Sequence, residues 1–367
     1  MARDRATVSG EFRVEQEPAA AVGAAIDGAA IDAVDPGAGR AAGENFPVAL
    51  RVLPTSRRRH LMAVYGFART TDDIGDQAPP EQRLRLLDEL ETDLRRLYAR
   101  RGARRGEADN GRDGGDGGHS GADGSDGGHG RADGGDGGHG EADRRDGDRG
   151  GAAEGGLGGD GTEPRSHVVR ALGPAVADRG IPMQPFLDLI QANRQDQVVS
   201  RYQTFEDLLG YCRLSANPVG RIVLYVFGSF SQPRAELSDS ICTALQLAEH
   251  WQDVAEDLRA GRIYLPAQDM DKFGCTQDDL AQASASPQVR ELIAFETGRA
   301  KALLDAGAPL IGTLRGAARV AVAGYVAGGR AALAAIAAAG HDVLRGTPRP
   351  RKQRVAAELI LAYARGR

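Results

Sequence analysis

The amino-acid sequence predicts an all-α fold, with a functional site in the interior of a helical bundle. Three observations carry that prediction. Apolar residues recur at helical spacing from about Glu44 to Arg100 and again from Arg165 to the end. No convincing run of alternating β-branched residues interrupts them. Prolines fall at the seams between apolar stretches, as Pro54, Pro79 and Pro80 do, where a chain leaving or entering a helix tolerates them.

Residues 1–42 are rich in Ala, Gly and Asp without sustained periodicity, so a disordered tail is expected there. From Asn45 to Ala68, Phe46, Val48, Leu50, Leu53, Leu61, Val64, Tyr65 and Phe67 mark two helical segments divided by Pro54. The second segment runs into Asp72-Asp73-Ile74-Gly75-Asp76. A helix from Glu81 to about Arg100 follows, with Leu84, Leu87, Leu90, Leu94 and Leu97 as its apolar stripe. Residues 102–164 then hold half of the 50 glycines and a decapeptide of the form DGGDGGHxxA that recurs from Asp113, Asp123 (with Ser125 for one glycine) and Asp133. This segment lacks the apolar surface to offset its ordering entropy and is expected to be a disordered insertion in a domain formed by residues 43–101 and 165–367. Helical patterns resume over about 166–178, 183–199, 204–231, 237–260, 277–283, 288–315, 317–339 and 351–365. Alanine-rich, weakly apolar and carrying Arg319 and Arg330, the stretch from Ala317 to Gly340 is expected to be a packed bundle helix rather than a membrane span.

Composition narrows the function. A formal net charge of -5 with both signs interspersed offers no basic field to a nucleic-acid backbone. Cys212, Cys242 and Cys275 lie far apart without metal-ligand spacing and suit a reduced, cytoplasmic protein. Glu11, Glu15 and Glu17 stand where a signal peptide would need apolar residues, so export is not expected. No glycine-rich dinucleotide fingerprint occurs in a strand-turn-helix context.

The chemistry is concentrated in two clusters, Asp72 to Asp76 and Asp253-Val254-Ala255-Glu256-Asp257, each with the spacing Asp-x-x-x-Asp. Residues four apart share a helix face, so each cluster aims two carboxylates in one direction. One such pair is ordinary surface charge. Two pairs, each beside apolar residues (Val64, Tyr65 and Phe67; Leu245, Leu247 and Trp251), suit a Mg²⁺ cage that holds a diphosphate, because Mg²⁺ binds a few carboxylates together with substrate phosphates. Arg69 and Tyr65 precede the first pair by one and two turns. Arg262 and Tyr264 follow the second, within reach of phosphate oxygens, and Pro266 ends that turn. Between the clusters, Tyr211-Cys212-Arg213-Leu214-Ser215-Ala216-Asn217-Pro218-Val219-Gly220 allows a helix break and close approach of a long chain.

Together these residues resemble the head-to-head prenyl synthases, the squalene, dehydrosqualene and phytoene synthases. The motifs are Tyr65-x-x-x-Arg69-x-x-Asp72-Asp73-x-x-Asp76, Tyr211-Cys212, Val219-Gly220, Gln246-Leu247, Asp253-x-x-x-Asp257 and Arg262-x-Tyr264-Leu265-Pro266. The resemblance covers the whole part expected to fold. It implies an isoprenoid synthase fold around a hydrophobic channel, with Mg²⁺ at Asp72, Asp76, Asp253 and Asp257. It also implies isoprenoid diphosphate contacts at Tyr65, Arg69, Arg262 and Tyr264, with Asn45 and Phe46 at the start, and an active-site tyrosine at Tyr211.

Two departures bear on the branch. Gln252 stands where the family has an arginine, and Glu249 where it has an asparagine. The Glu44-Asn45-Phe46-Pro47 start, Ser215-Ala216-Asn217-Pro218 and Trp251-Gln252 are similar to the bacterial hopanoid-pathway branch, the hydroxysqualene synthases. That branch implies conversion of presqualene diphosphate to hydroxysqualene without NADPH. The alternatives are condensation of two farnesyl or geranylgeranyl diphosphates, or a non-catalytic relative that keeps only the fold. Greasy substrates leave room for peripheral membrane contact and for partners among other squalene-pathway enzymes.

Overall fold

In a computed structural model the backbone is described for residues 53–110 and 163–365, and side chains for all of these except 102–110. Asn45, Phe46, the N-terminal tail and nearly all of the glycine-rich repeat lie outside the described residues. Within them the protein is helical, as expected. Helix α1 spans Thr55–Gln77 and starts directly after Pro54. It ends at Ala78, whose extended backbone (φ -65°, ψ 154°) is what the following Pro79 demands. Its inward stripe of Leu61, Val64, Phe67 and Ile74 is buried, and Phe67 meets Phe186 edge to face at 5.2 Å.

Helix α2 opens on Pro80 and runs to Asn110, past the break expected near Arg101. Leu87, Leu90 and Leu94 are fully buried, but Leu84 is 48% exposed and Leu86 takes its place in the core. The buried Asp93 accepts backbone hydrogen bonds from Arg165 (2.8 Å) and Ser166 (2.6 Å) and so pins the chain where it re-enters the bundle. Ser166 then caps α3 (His167–Arg179), which closes on Gly180 in the left-handed region at φ 64°.

Next come α4 (Gln184–Asp196) and α5 (Phe205–Ser215), the latter started by a Thr204/Asp207 capping box, and α6 (Asn217–Val226). Within the helical pattern over 204–231 the helix breaks at Ala216 before Asn217-Pro218, inside the stretch where the sequence allows a break. Helix α7 (Gln232–Gln252) packs against α5, α6 and three later helices: α11 (Pro287–Gly307), α12 (Leu310–Thr313) and α13 (Gly316–Ala338). A Cβ at Gly307 would stand 2.6 Å from the Leu237 carbonyl oxygen, so only glycine lets α11 approach this closely.

Asp253 interrupts the helix expected over 237–260 and separates α7 from α8 (Val254–Arg259). Short helices α9 (Ala267–Lys272) and α10 (Gln277–Leu280) follow, and α14 (Lys352–Arg365) ends the described chain against α13. By length and composition α13 could cross a membrane. Here it serves as a core helix, with Ala321, Val326, Ala327 and Ile336 buried and Arg330 paired to Asp305 at 2.8 Å. One isolated parallel bridge, Arg201 to Ile263, joins the segment after α4 to the segment after α8. The Ile263 amide donates to the Ser200 carbonyl at 2.9 Å and the Ala267 amide to that of Tyr202 at 3.0 Å. This clasp sets the position of Arg262 and Tyr264.

Candidate active site

The first acidic cluster sits on the last turns of α1. Asp76 is paired with Arg262 at 2.8 Å, a contact across 186 positions of chain. The amide of Asn193 on α4 donates to Asp72 at 3.1 Å. Gly75 makes that approach possible: a Cβ there would lie 2.2 Å from the Asn193 side-chain oxygen. Gln197 adds a hydrogen bond to the Gly75 carbonyl at 3.1 Å. Asp72 keeps an exposed edge but is crowded by protein on its other sides. That desolvation, with the charges of Asp76 and Asp73, pushes its carboxyl up to about 7 against the donor Asn193 and the nearby Arg69. Arg69 itself closes on the buried Asp73 at 2.7 Å, and Gln77 completes that buried pair at 2.6 Å.

The second cluster lies at the α7/α8 junction. Asp253 has non-helical backbone (φ -105°, ψ 15°), yet the Asp257 amide donates to the Asp253 carbonyl at 2.8 Å, so the two carboxylates keep the spacing of one helical turn. Burial and the neighbouring Asp253 raise the Asp257 carboxyl to about 7; Arg262 opposes this, and Glu249 and Glu256 reinforce it. Glu249 therefore adds negative charge to the cluster. Thr347, from the segment before α14, donates its hydroxyl to Asp253 at 3.0 Å. Gln252, the residue in place of an arginine, donates its amide to the Pro348 carbonyl. Arg262 thus lies between the clusters, bonded to one and acting electrostatically on the other.

Beside them stands a wall of rings. Tyr264, expected at the phosphates, is buried and stacked on His250 with ring centroids 3.7 Å apart. The clasp after α8 turns it toward the core. Tyr202 and Tyr211 complete the group, 5.9 and 5.8 Å from Tyr264. His250 is held neutral, its pKa lowered to about 3 by burial and by Arg262. Tyr211 donates its hydroxyl to Asp196 at 2.8 Å. The other oxygen of Asp196 is buried without a hydrogen-bond partner among the described residues, and burial lifts this carboxyl to about 6. A small cleft lined by His250, Val254, Asp257, Arg262, Tyr264 and Leu280 opens between the second cluster and the rings.

Residues 40–356 match the family model described as squalene/phytoene synthase. The chain belongs to that family. A hydroxysqualene synthase of Rhodopseudomonas palustris is 29% identical over 276 residues, covering 74% of this chain and 72% of that protein. The crystal structure of squalene synthase HpnC from Alicyclobacillus acidocaldarius superposes with a TM-score of 0.62 at 36% identity, covering 82% of this chain and 91% of the other. A ligand-bound dehydrosqualene synthase reaches a TM-score of 0.64 at 20% identity over 92% of this chain and 96% of its own, and so reports the shared all-α fold.

Of the residues read from the sequence, the synthase fold brings Asp72, Asp76, Arg262 and Asp257 into one electrostatic neighbourhood and places Tyr211 and Tyr264 on the adjoining wall. Asn193 and Asp196 were missed. Their signal was faint: an Asn and an Asp three apart near the end of an amphipathic helix, upstream of the Tyr211 motif.

Proposed function

We propose that this synthase converts presqualene diphosphate and water to hydroxysqualene, diphosphate and a proton, the rearranged carbocation being captured by the water oxygen, as a step of squalene and hopanoid biosynthesis. The observation that carries the reading is Arg262 held between two acidic clusters and beside an aromatic wall, in a chain similar to a hydroxysqualene synthase across most of its length. Mg²⁺ suits the donor set, which is all carboxylate oxygen; the Asp72 and Asp257 carboxyls are raised by burial and then by neighbouring like charges, which a divalent cation would relieve. Among the described residues no three acidic, His or Cys side chains converge on one point. The ion would therefore rest on the pairs Asp72/Asp76 and Asp253/Asp257, with substrate oxygens completing its shell. Bound there, Mg²⁺ supplies positive charge to a departing diphosphate.

The chain's own groups do the rest. Arg262 exchanges part of its bond to Asp76 for phosphate oxygens, and Arg69, kept oriented by Asp73, adds cationic charge nearby. The faces of Tyr211, Tyr264 and Tyr202 attract the carbocation left behind, and a neutral His250 beside them does not repel it. Asp196 holds the Tyr211 hydroxyl so that the ring keeps one orientation. Gln252, tied to Pro348, adds no positive charge, which suits a site for one diphosphate rather than two. Incubating the purified protein with Mg²⁺ and either presqualene diphosphate or farnesyl diphosphate tests the reading. Hydroxysqualene from presqualene diphosphate is expected without NADPH; turnover of farnesyl diphosphate alone would sink it.

A further inference from the structure

Helix α14 is amphipathic in an unusual sense, because its outward face is apolar too. At about 100° per residue, Val355, Leu359 and the buried Ala362 turn toward the bundle, whereas Gln353, Ala356, Ala357, Ile360 and Ala364 share the opposite, exposed side. Ile360 is 70% exposed and Leu361, at the edge of that face, 43%. A bundle helix at a free surface would carry polar residues there.

The charge around this face is one-sided. Between Arg349 and Arg365 the chain has five cations (Arg349, Arg351, Lys352, Arg354 and Arg365) and one acid, Glu358, in a protein of net charge -5. Glu358 is taken up by Arg354 at 3.5 Å. Lys352 and Arg365 stand exposed at the two ends of the helix. Tyr363 is backed by the Arg319 guanidinium, 4.4 Å from its ring centroid. Exposed apolar side chains fringed by arginine and lysine match a helix lying in the plane of an anionic bilayer surface, where acyl chains take the apolar face and lipid phosphates the cations.

We propose that α14 docks this protein peripherally on an anionic lipid surface through Ile360 and Leu361. The docking is independent of which diphosphate the site accepts. The segment leading into α14 is also the one bonded to the second acidic cluster through Thr347 and Pro348, so the membrane contact lies one short segment from the site.

Co-sedimentation of the full chain with vesicles is the test. Partition onto phosphatidylcholine vesicles containing phosphatidylglycerol should exceed partition onto phosphatidylcholine alone by about tenfold, and added salt should erase the difference. Ile360→Ser with Leu361→Ser should lower binding about tenfold or more while leaving helical content unchanged by circular dichroism, since neither side chain belongs to the core. Lys352→Glu with Arg365→Glu should remove the anionic preference and gives a second reading if the first variant folds poorly. Equal binding to both vesicle types, or binding unaffected by either pair, overturns the proposal. So does a dimer in vesicle-free solution that Ile360→Ser dissociates, because the face then belongs to a second copy.

Discussion

The two acidic clusters look alike in sequence and are built differently. The first rides on an unbroken helix and is supported from a neighbouring helix, where Asn193 fits against Gly75 to reach Asp72, and from within its own helix, where Asp73 is locked to Arg69. The second stands at a helix interruption, and its supports come from a distant loop through Thr347 and Gln252. The position of one is set by helical periodicity; that of the other depends on a strap, the Thr347–Pro348 segment.

This contrast can be broken at several points. The largest effect is expected from Asp253→Asn, which removes a carboxylate from the second cluster and should lower kcat about a hundredfold or more with little change in melting temperature. Near-normal turnover would reduce the second cluster to surface charge. Next comes Gly75→Ala. The added methyl displaces Asn193, and kcat should fall about tenfold with a stability loss of about 1–3 kcal/mol measured by urea unfolding.

A third test uses pH. His250 beside the second cluster is neutral in the folded protein down to about pH 3, whereas in the unfolded chain it takes up a proton below about 6.5. Unfolding therefore binds a proton in that window, and His250's contribution to stability declines as pH falls from 6.5 toward 3. His250→Gln should be less pH-sensitive than the parent by about 2 kcal/mol between pH 7 and 5. Identical pH slopes would show that His250 titrates normally. The smallest effect is expected from Thr347→Val, about two- to tenfold on kcat/KM through one lost hydrogen bond, with stability nearly unchanged. An effect as large as that of Asp253→Asn would make Thr347 a principal holder of the site rather than a strap.

Much of the fold was legible because helical periodicity is local: the stripe of Leu87, Leu90 and Leu94 and the seam at Pro79 need only their neighbours in sequence. Leu84 misled because it continues that stripe by spacing while no partner helix covers it. The aspartates were legible because their chemistry is carried by residue type and interval. The break at Ala216 fell inside the stretch from Tyr211 to Gly220 where proline and glycine allow one, but the break at Asp253 was not placed, since apolar spacing continues through it. Nor were Asn193 and Asp196, whose roles arise from contacts with residues 121 and 15 positions away. Gln252 was read as a missing charge, and nothing local showed that its amide would hold Pro348.

Arg262 and its bond to Asp76 also impose an order on synthesis. The first aspartates leave the ribosome 186 residues before their counter-ion, an interval of roughly ten to forty seconds at about 5–20 residues per second. The strap of Thr347 arrives later still. A nascent chain thus holds Asp76 without its partner over that interval, and a product truncated before Arg262 would lack both this ion pair and the Thr347 latch.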